Sequence, residues 1–209
     1  MDGNVIDTVH VAVYDTFADW EIGHAIAHIN KPLWHREPGR FAVATVGATR
    51  DPITTMGGLR VVPDLTLDEA TPHDSAMLVL AGNDIWATEQ FAPFAEKARV
   101  FLDVGVPVAA ICGATGGLAL AGLLDERAHT SNAAEFLDSV GYAGAHLYRD
   151  EPVVTDRDLI TASAVAPAEF ARAVLERLEI FEPSVLESWY KLYGRRDPAG
   201  FHELMSVQG

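Results

Sequence analysis

The stretch Val106-Pro107-Val108-Ala109-Ala110-Ile111-Cys112-Gly113-Ala114-Thr115-Gly116-Gly117-Leu118 constrains this chain more than any other. Small and β-branched apolar residues, opened by a proline, read as a short strand buried on both faces, the habit of strands inside a parallel sheet. The run stops at Cys112, the only cysteine in the chain. Gly113 and Ala114 follow, and from Thr115 to Gly122 the apolar spacing suits a closely packed helix. A strand turning sharply into a helix with a nucleophile at the corner is a nucleophile elbow, and its strained corner demands small neighbours. Ala110, Gly113 and Ala114 meet that demand. The thiol then stands at the carboxyl end of a strand and against a helix N-terminus, whose dipole favours the thiolate.

Two plainer readings compete. A lone free cysteine often serves only as a small buried hydrophobe. The 21 residues from Val104 to Leu124 carry no charge, and Gly113 and Gly117 have the spacing of a membrane helix-dimer motif. Five glycines and Pro107 make that segment a poor continuous helix, and no Lys/Arg cluster flanks it, so a membrane span is rejected.

A chain of 209 residues, 49% hydrophobic and 22% charged, suits one soluble α/β domain. We read residues 1–209 as that single domain, with 183–209 as a C-terminal helical extension. The net charge of −15 argues against nucleic acid and anionic membrane as partners. One cysteine excludes an intrachain disulfide and a cysteine-based zinc site. The start, Met1-Asp2-Gly3-Asn4, lacks the charged-then-apolar signature of a leader, so a cytoplasmic location is expected.

Alternating short apolar runs and helical patterns fill the rest. Ile6 to Tyr14, Phe41 to Gly47 and Ser75 to Leu80 read as core strands, and Phe91 to Leu102 as an amphipathic helix. Ile22, Ala25, Ile26 and Ile29 mark the sheet-facing stripe of a first helix ending near Asn30. Ile53 to Val62, with Gly57-Gly58 at its centre, reads as a hairpin. Val153-Val154 and Leu159 to Ala162 are short strands, Ala133 to Val140 and Ala168 to Leu178 helices, and the aromatic-rich tail one or two more. The expected fold is a three-layer α/β/α sandwich, flavodoxin-like, with a mostly parallel sheet. Glu21, His24 and His28 share one helical face, but no further ligand cluster lies near in sequence. Boundary histidines are the commoner case, so no metal is expected.

Several of these segments resemble the ThiJ/PfpI family of the class I glutamine-amidotransferase-like superfamily. The resemblance is carried by Ala110-Ile111-Cys112-Gly113-Ala114, by Ala121 to Arg127, and by His129-Thr130-Ser131-Asn132. Phe17-Ala18-Asp19-Trp20-Glu21 is similar to the family's Phe-x-Asp-x-Glu stretch, which implies that Glu21 reaches the cysteine. By itself an acidic residue in a first helical turn only complements the helix dipole. The turn after the third core strand, Ala81-Gly82-Asn83, resembles the family's oxyanion-hole turn, with Asn83 in place of a usual second glycine. This implies backbone donors from Gly82, Asn83 and Gly113. Trp20, Asn132 and Ser163 are expected around the pocket.

The departures matter as much. The family commonly places a histidine directly after the cysteine, where this chain has Gly113, or two residues after the threonine matching Thr130, where it has Asn132. His129 is kept as a candidate imidazole, although alternation in an extended segment points it opposite to Thr130 and Asn132. The late His-x-Glu pair of true glutaminases is absent, since His202 is followed directly by Glu203. Glutamine hydrolysis is not expected, and the missing histidine after Cys112 weighs against peptidase activity.

The resemblance implies a cysteine-dependent enzyme acting on a small carbonyl, amide or isonitrile-type substrate, in the manner of a glyoxalase, deglycase or hydratase. Cys112 would be the nucleophile, Glu21 its proton partner, and no cofactor is implied. The rival reading is a non-catalytic stress sensor working by oxidation of Cys112. The resemblance also implies a homodimer, for which the aromatic tail could supply an apolar patch.

Overall fold

The computed structural model describes residues 6–207. The Met1–Asn4 start, on which the expectation of no leader rests, lies outside the described residues, as do the last two positions. Strand β1 (Asp7–Ala12) leads into helix α1 (Asp19–Asn30) and β2 (Phe41–Gly47). Two short strands, β3 (Ile53–Thr54) and β4 (Arg60–Val61), form a separate antiparallel pair. Then come β5 (Leu65–Thr66), β6 (Met77–Leu80), α2 (Ala92–Asp103), β7 (Val108–Ile111), α3 (Gly113–Leu120) and α4 (Ala134–Asp138). The chain closes with β8 (Val153–Asp156), β9 (Leu159–Ala162), α5 (Pro167–Arg177), α6 (Pro183–Tyr193) and α7 (Ala199–Val207).

The main sheet has seven strands in the order β5-β2-β1-β6-β7-β9-β8, and only β8 runs antiparallel. Every residue of β6 and β7 is buried, as their unbroken apolar runs require of central parallel strands. From β1 the chain moves outward through α1 to β2. From β6 it moves the other way through α2 to β7, so right-handed crossovers place α1 and α2 on opposite faces. Helix α5 packs with α1, and α3 with α2, which completes the three layers. The reversal of direction opens a crevice at the carboxyl ends of β1 and β6, the usual place for chemistry in such sheets.

Boundaries differ from the sequence reading for local reasons. Helix α3 begins at Gly113, two residues before the spacing suggested, because the turn is made entirely at Cys112. Strand β6 begins at Met77 rather than Ser75, since the Ser75 hydroxyl turns aside to His10 Nδ1 (2.9 Å) and Met77 O (3.1 Å). The double-glycine segment does form a hairpin. Its loop is closed by Thr55 N donating to Leu59 O (2.9 Å), and Gly58 adopts φ +82°. The tail forms two helices. Trp189 of α6 is fully buried, whereas Phe201 of α7 is half exposed. No helix among the described residues is long and apolar enough to cross a membrane.

Candidate active site

Three turns at the carboxyl edge of the sheet converge: β1 into α1, β6 into α2, and β7 into α3. At the last of these Cys112 has φ 58° and ψ −128°, a left-handed conformation that is strained for any residue with a side chain. Such strain amounts to about 1–3 kcal/mol and persists only where the surroundings over-determine it. Here they do. Cys112 N donates to Ala162 O at 3.0 Å, and Cys112 O accepts from Thr115 N (3.1 Å) and Thr115 Oγ1 (2.6 Å). A Cβ on Gly113 would stand 3.0 Å from Asn83 O and 3.1 Å from Trp86 Cδ1. A histidine in that place, as the family commonly has, would meet both, so the glycine follows from how tightly the β6–α2 turn packs on the elbow.

Glu21 projects from the first turn of α1 and is fully buried. Its Oε2 accepts from Gly82 N at 2.7 Å, while Gly82 O accepts from Ala18 N at 2.8 Å, so the two turns are stitched in both directions. Gly82 separates the two reactive groups. A Cβ there would stand 2.8 Å from Glu21 Oε2, 2.8 Å from Cys112 Cβ and 2.9 Å from Cys112 Sγ. Glu21 Oε1 is buried without a hydrogen-bond partner. On the other side Asn132 Nδ2 donates to Sγ at 3.4 Å. Its orientation is set by the loop after β9, where Ala164 N donates to Asn132 Oδ1 at 2.9 Å, which leaves the NH2 group for the sulfur.

These contacts decide where protons reside. Burial pushes the Glu21 carboxyl up, opposed by the Gly82 amide and by the hydrogen bond with Cys112. Burial also pushes the Cys112 thiol up, to about 11, with the Glu21 charge adding to the rise and the Asn132 and Gly113 donors opposing it. The expected lowering of the thiol by the helix end is therefore overridden by burial and by the neighbouring carboxylate. Both rises come first from burial, and two acids this close titrate as a coupled pair, with neither group titrating privately.

The remaining sequence candidates divide. The Gly82 amide is occupied by Glu21, so it is not free to cradle an oxyanion; Asn83 and Gly113 are left. Asn83 N stands 3.3 Å from the point a Gly113 Cβ would occupy, so the two turns that carry these amides are in contact. Ser163 contributes backbone, its N bonded to Pro152 O (3.1 Å) and its O to Ala166 N (3.0 Å), and thereby shapes the loop that orients Asn132. Trp20, next to Glu21 in sequence, lies half exposed.

His129 does not join the site. It is fully buried rather than at the surface, with Nδ1 bonded to Arg127 O (2.7 Å) and Nε2 to Tyr142 Oη (2.9 Å). Both ring nitrogens are thus used away from Cys112, and the segment's alternation sends Asn132 to the sulfur instead. His24 and His28 pack among Trp34, Trp189 and Tyr193, with ring centroids 5.1–6.4 Å apart.

Two residues and a cleft escaped the sequence reading. The Trp86 ring lies along α3 and packs on Phe136, with centroids 4.7 Å apart. The signal available was the small-residue run Gly113 to Gly117, which requires something large against it. Tyr14, just past β1, is buried, and its hydroxyl donates to Ala81 O. A cleft of about 610 Å³, lined by Asp7, Arg40, His73 and Arg177 among others, opens at the amino ends of the strands, away from Cys112.

Comparison with known proteins follows the same geometry. A family model described as the DJ-1/PfpI family matches residues 7–177. The chain is 41% identical over 202 residues to a Bacillus subtilis (strain 168) protein named "Uncharacterized protease YoaZ", covering 95% of this chain and 96% of that one. A second B. subtilis relative, "Uncharacterized protease YdeA", is 30% identical over 177 residues, covering 84% of this chain and 85% of the relative. Among solved structures, a thiJ/pfpI family protein from Bacillus anthracis superposes with a TM-score of 0.90 at 42% identity, covering 96% of this chain and 97% of the other. The DJ-1 superfamily protein Atu0886 from Agrobacterium tumefaciens gives 0.80 at 30%, covering 91% of this chain and 100% of the other.

Proposed function

The chain belongs to the DJ-1/PfpI family, and from that premise we propose that it is an enzyme whose Cys112 adds to the electrophilic carbon of a small molecule. The observation that carries this reading is the apposition of Cys112 and Glu21 across Gly82 at a strained, donor-lined elbow, which we read as a pair sharing one proton. As sulfur attacks, the S–C bond forms and the thiol proton passes to the Glu21 carboxylate. From there it goes to the substrate atom that gains electrons, while the Asn83 and Gly113 amides face the developing negative charge. For a carbonyl the first adduct is a hemithioacetal still bound to Cys112, with every proton accounted for by one carrier. For methylglyoxal, a proton shift from C1 to C2 through Glu21 then gives a thioester, whose S–C bond water cleaves to release the hydroxy acid and the thiol. An amide needs more, because its poorly leaving amine must be protonated before water enters, and no imidazole supplies that proton. Small carbonyl compounds therefore fit best, ahead of amides, isonitriles and peptides.

The test is a turnover screen with methylglyoxal, small amides, isonitriles and a short peptide, run beside Cys112→Ser and Glu21→Gln. Cysteine- and glutamate-dependent turnover of the carbonyl is expected. Failure on all four, with stoichiometric oxidation of Cys112 by peroxide in intact-mass spectra, would leave the sensor reading in its place. The protease names of the two Bacillus relatives make the peptide arm necessary. A catalytic thiol also fits a reducing compartment, in keeping with the cytoplasm. We further infer a homodimer: Met56, Leu59 and Val62 on the β3–β4 hairpin and Trp20 beside it all stand about half exposed or more, an apolar patch next to the site. Light scattering at the 22.6 kDa monomer mass across micromolar concentrations would contradict it.

A further inference from the structure

Gly82 N donates to Glu21 Oε2, and the carbonyl at the other end of the same peptide unit, Ala81 O, accepts from the Tyr14 hydroxyl. Asn83 Nδ2 donates to that carbonyl as well, at 3.3 Å. A peptide group transmits polarisation: a donor on its oxygen makes its N–H a stronger donor. We propose that Tyr14 is a positioning residue that acts through the Ala81–Gly82 peptide on the proton shared by Glu21 and Cys112, drawing it toward sulfur in the resting protein. The proposal rests on the Cys112–Glu21 pairing of the preceding section.

The geometry supports a relay rather than simple packing. Tyr14 is buried, and burial pushes its own pKa well above the ordinary value, so its hydroxyl remains a donor across the working range. A hydrogen bond with Asn83 opposes that rise, and negative charge on the Glu21–Cys112 pair adds to it. Its ring is held edge-on by Phe17, Phe91 and Phe94 at centroid distances of 6.4, 5.4 and 4.9 Å. Phenylalanine would keep all three contacts and lose only the donor.

The direction of the effect follows from which form each donor favours. Gly82 N–H stabilises the carboxylate and hence the state with the proton on sulfur. Asn132 Nδ2 and the Gly113 amide stabilise the thiolate and hence the state with the proton on Glu21. Removing the Tyr14 hydroxyl weakens the first set alone. The proton then moves toward Glu21, and the sulfur becomes more nucleophilic.

The test measures iodoacetamide alkylation of Cys112 against pH in wild type, Tyr14→Phe, Glu21→Gln and the double variant. Tyr14→Phe is expected to raise the neutral-pH rate about twofold to fourfold, the size of polarisation carried by one bond in such a chain. In the Glu21→Gln background it should do nothing, because there is no proton to move. The infrared carboxylic-acid band that disappears in Glu21→Gln should grow in Tyr14→Phe. A mere loosening of the turn would raise alkylation equally in both backgrounds and leave the band unchanged, and that result overturns the relay while sparing the pair. If Glu21→Gln leaves both rate and pH profile at wild type, the pairing itself fails. Should Tyr14→Phe not fold, Asn83→Ala removes the weaker donor on the same carbonyl and must shift rate and band in the same direction, by less; no shift overturns the proposal.

Discussion

Replacing Gly82 by alanine inserts one methyl group between the two groups that do the chemistry. The added Cβ would stand 2.8 Å from Glu21 Oε2, 2.8 Å from Cys112 Cβ and 2.9 Å from Cys112 Sγ, each well inside ordinary van der Waals contact. Neither neighbour can step aside cheaply. Cys112 is pinned by the Ala162 and Thr115 bonds around its strained backbone, and Glu21 is fully buried. Overpacking of this kind costs about 1–3 kcal/mol. Loss of the hydrogen bond between the Gly82 amide and a carboxylate adds about 1.5–3 kcal/mol. The backbone at Gly82 has no positive φ, so conformational strain contributes nothing. For a domain of this size each kcal/mol lowers Tm by about 2–4 °C, so Gly82→Ala should lose roughly 5–20 °C. The methyl also forces Glu21 and Cys112 apart, which should slow Cys112 alkylation at pH 7 by about tenfold or more, whereas loss of the Gly82 donor alone acts in the opposite sense and by only a few-fold.

Gly23, inside α1, is the matched control. A Cβ there meets nothing within 4 Å, so Gly23→Ala should gain about 0.5–1 kcal/mol from helix propensity and leave alkylation unchanged. Thermal unfolding and timed iodoacetamide labelling on both variants decide the matter. If Gly82→Ala melts and alkylates like wild type, the close apposition of Glu21 and Cys112 across Gly82 is wrong.

Three further outcomes are expected. Alkylation should fall steeply in Glu21→Leu, moderately in Glu21→Asp and least in Glu21→Gln, which keeps a donor to sulfur, while turnover fails in all three because Gln cannot release a proton; wild-type alkylation in every variant would remove Glu21 from the site. His129→Ala should destabilise by about 2–4 kcal/mol, since it leaves a cavity and strands the Tyr142 hydroxyl, yet leave Cys112 labelling of the folded protein within twofold of wild type; a loss comparable to Glu21→Leu would place the imidazole in the chemistry. Acidification supplies the last. Burial pushes His10, His24, His28 and His129 below the ordinary histidine value. The unfolded chain takes up these protons near pH 6.5 while the folded one resists, so stability present above 6.5 is lost as pH falls through and below it, by at most about 1.4 kcal/mol per pH unit for each histidine. Urea melts at pH 7.5 and 5.5 should show the drop, and His28→Gln should flatten it; equal midpoints at the two pH values would contradict it.

The elbow was legible because its requirements are local. A buried apolar strand, a single nucleophile and small residues on both sides leave few other structures, and Cys112 sits where that pattern puts it. Strand β2 was equally plain, since Phe41 to Gly47 is an apolar run broken only by Thr45 and ending in glycine. The register of His129 against Asn132 followed from the period of an extended segment. Glu21 was different. From the residues alone its acid was ordinary helix-dipole chemistry, and only the resemblance raised it above that.

What tertiary structure decided was partnership. Whether the Gly82 amide faces a substrate oxygen or a carboxylate depends on how α1 docks against the β6 turn, and no local rule sets that distance. The thiol's acidity depended on a contest between a helix end, visible in sequence, and burial beside a second acid, visible only after folding; burial prevailed. Tyr14 and Trp86 read as ordinary apolar aromatics because their roles lie in which backbone carbonyl and which glycine face they meet. Periodicity and turn chemistry act over a few residues and are written in the chain. Desolvation and hydrogen-bond pairing act between segments some 60 to 90 residues apart, from Glu21 to Gly82 and from Glu21 to Cys112, and exist only when the sheet has brought those turns together.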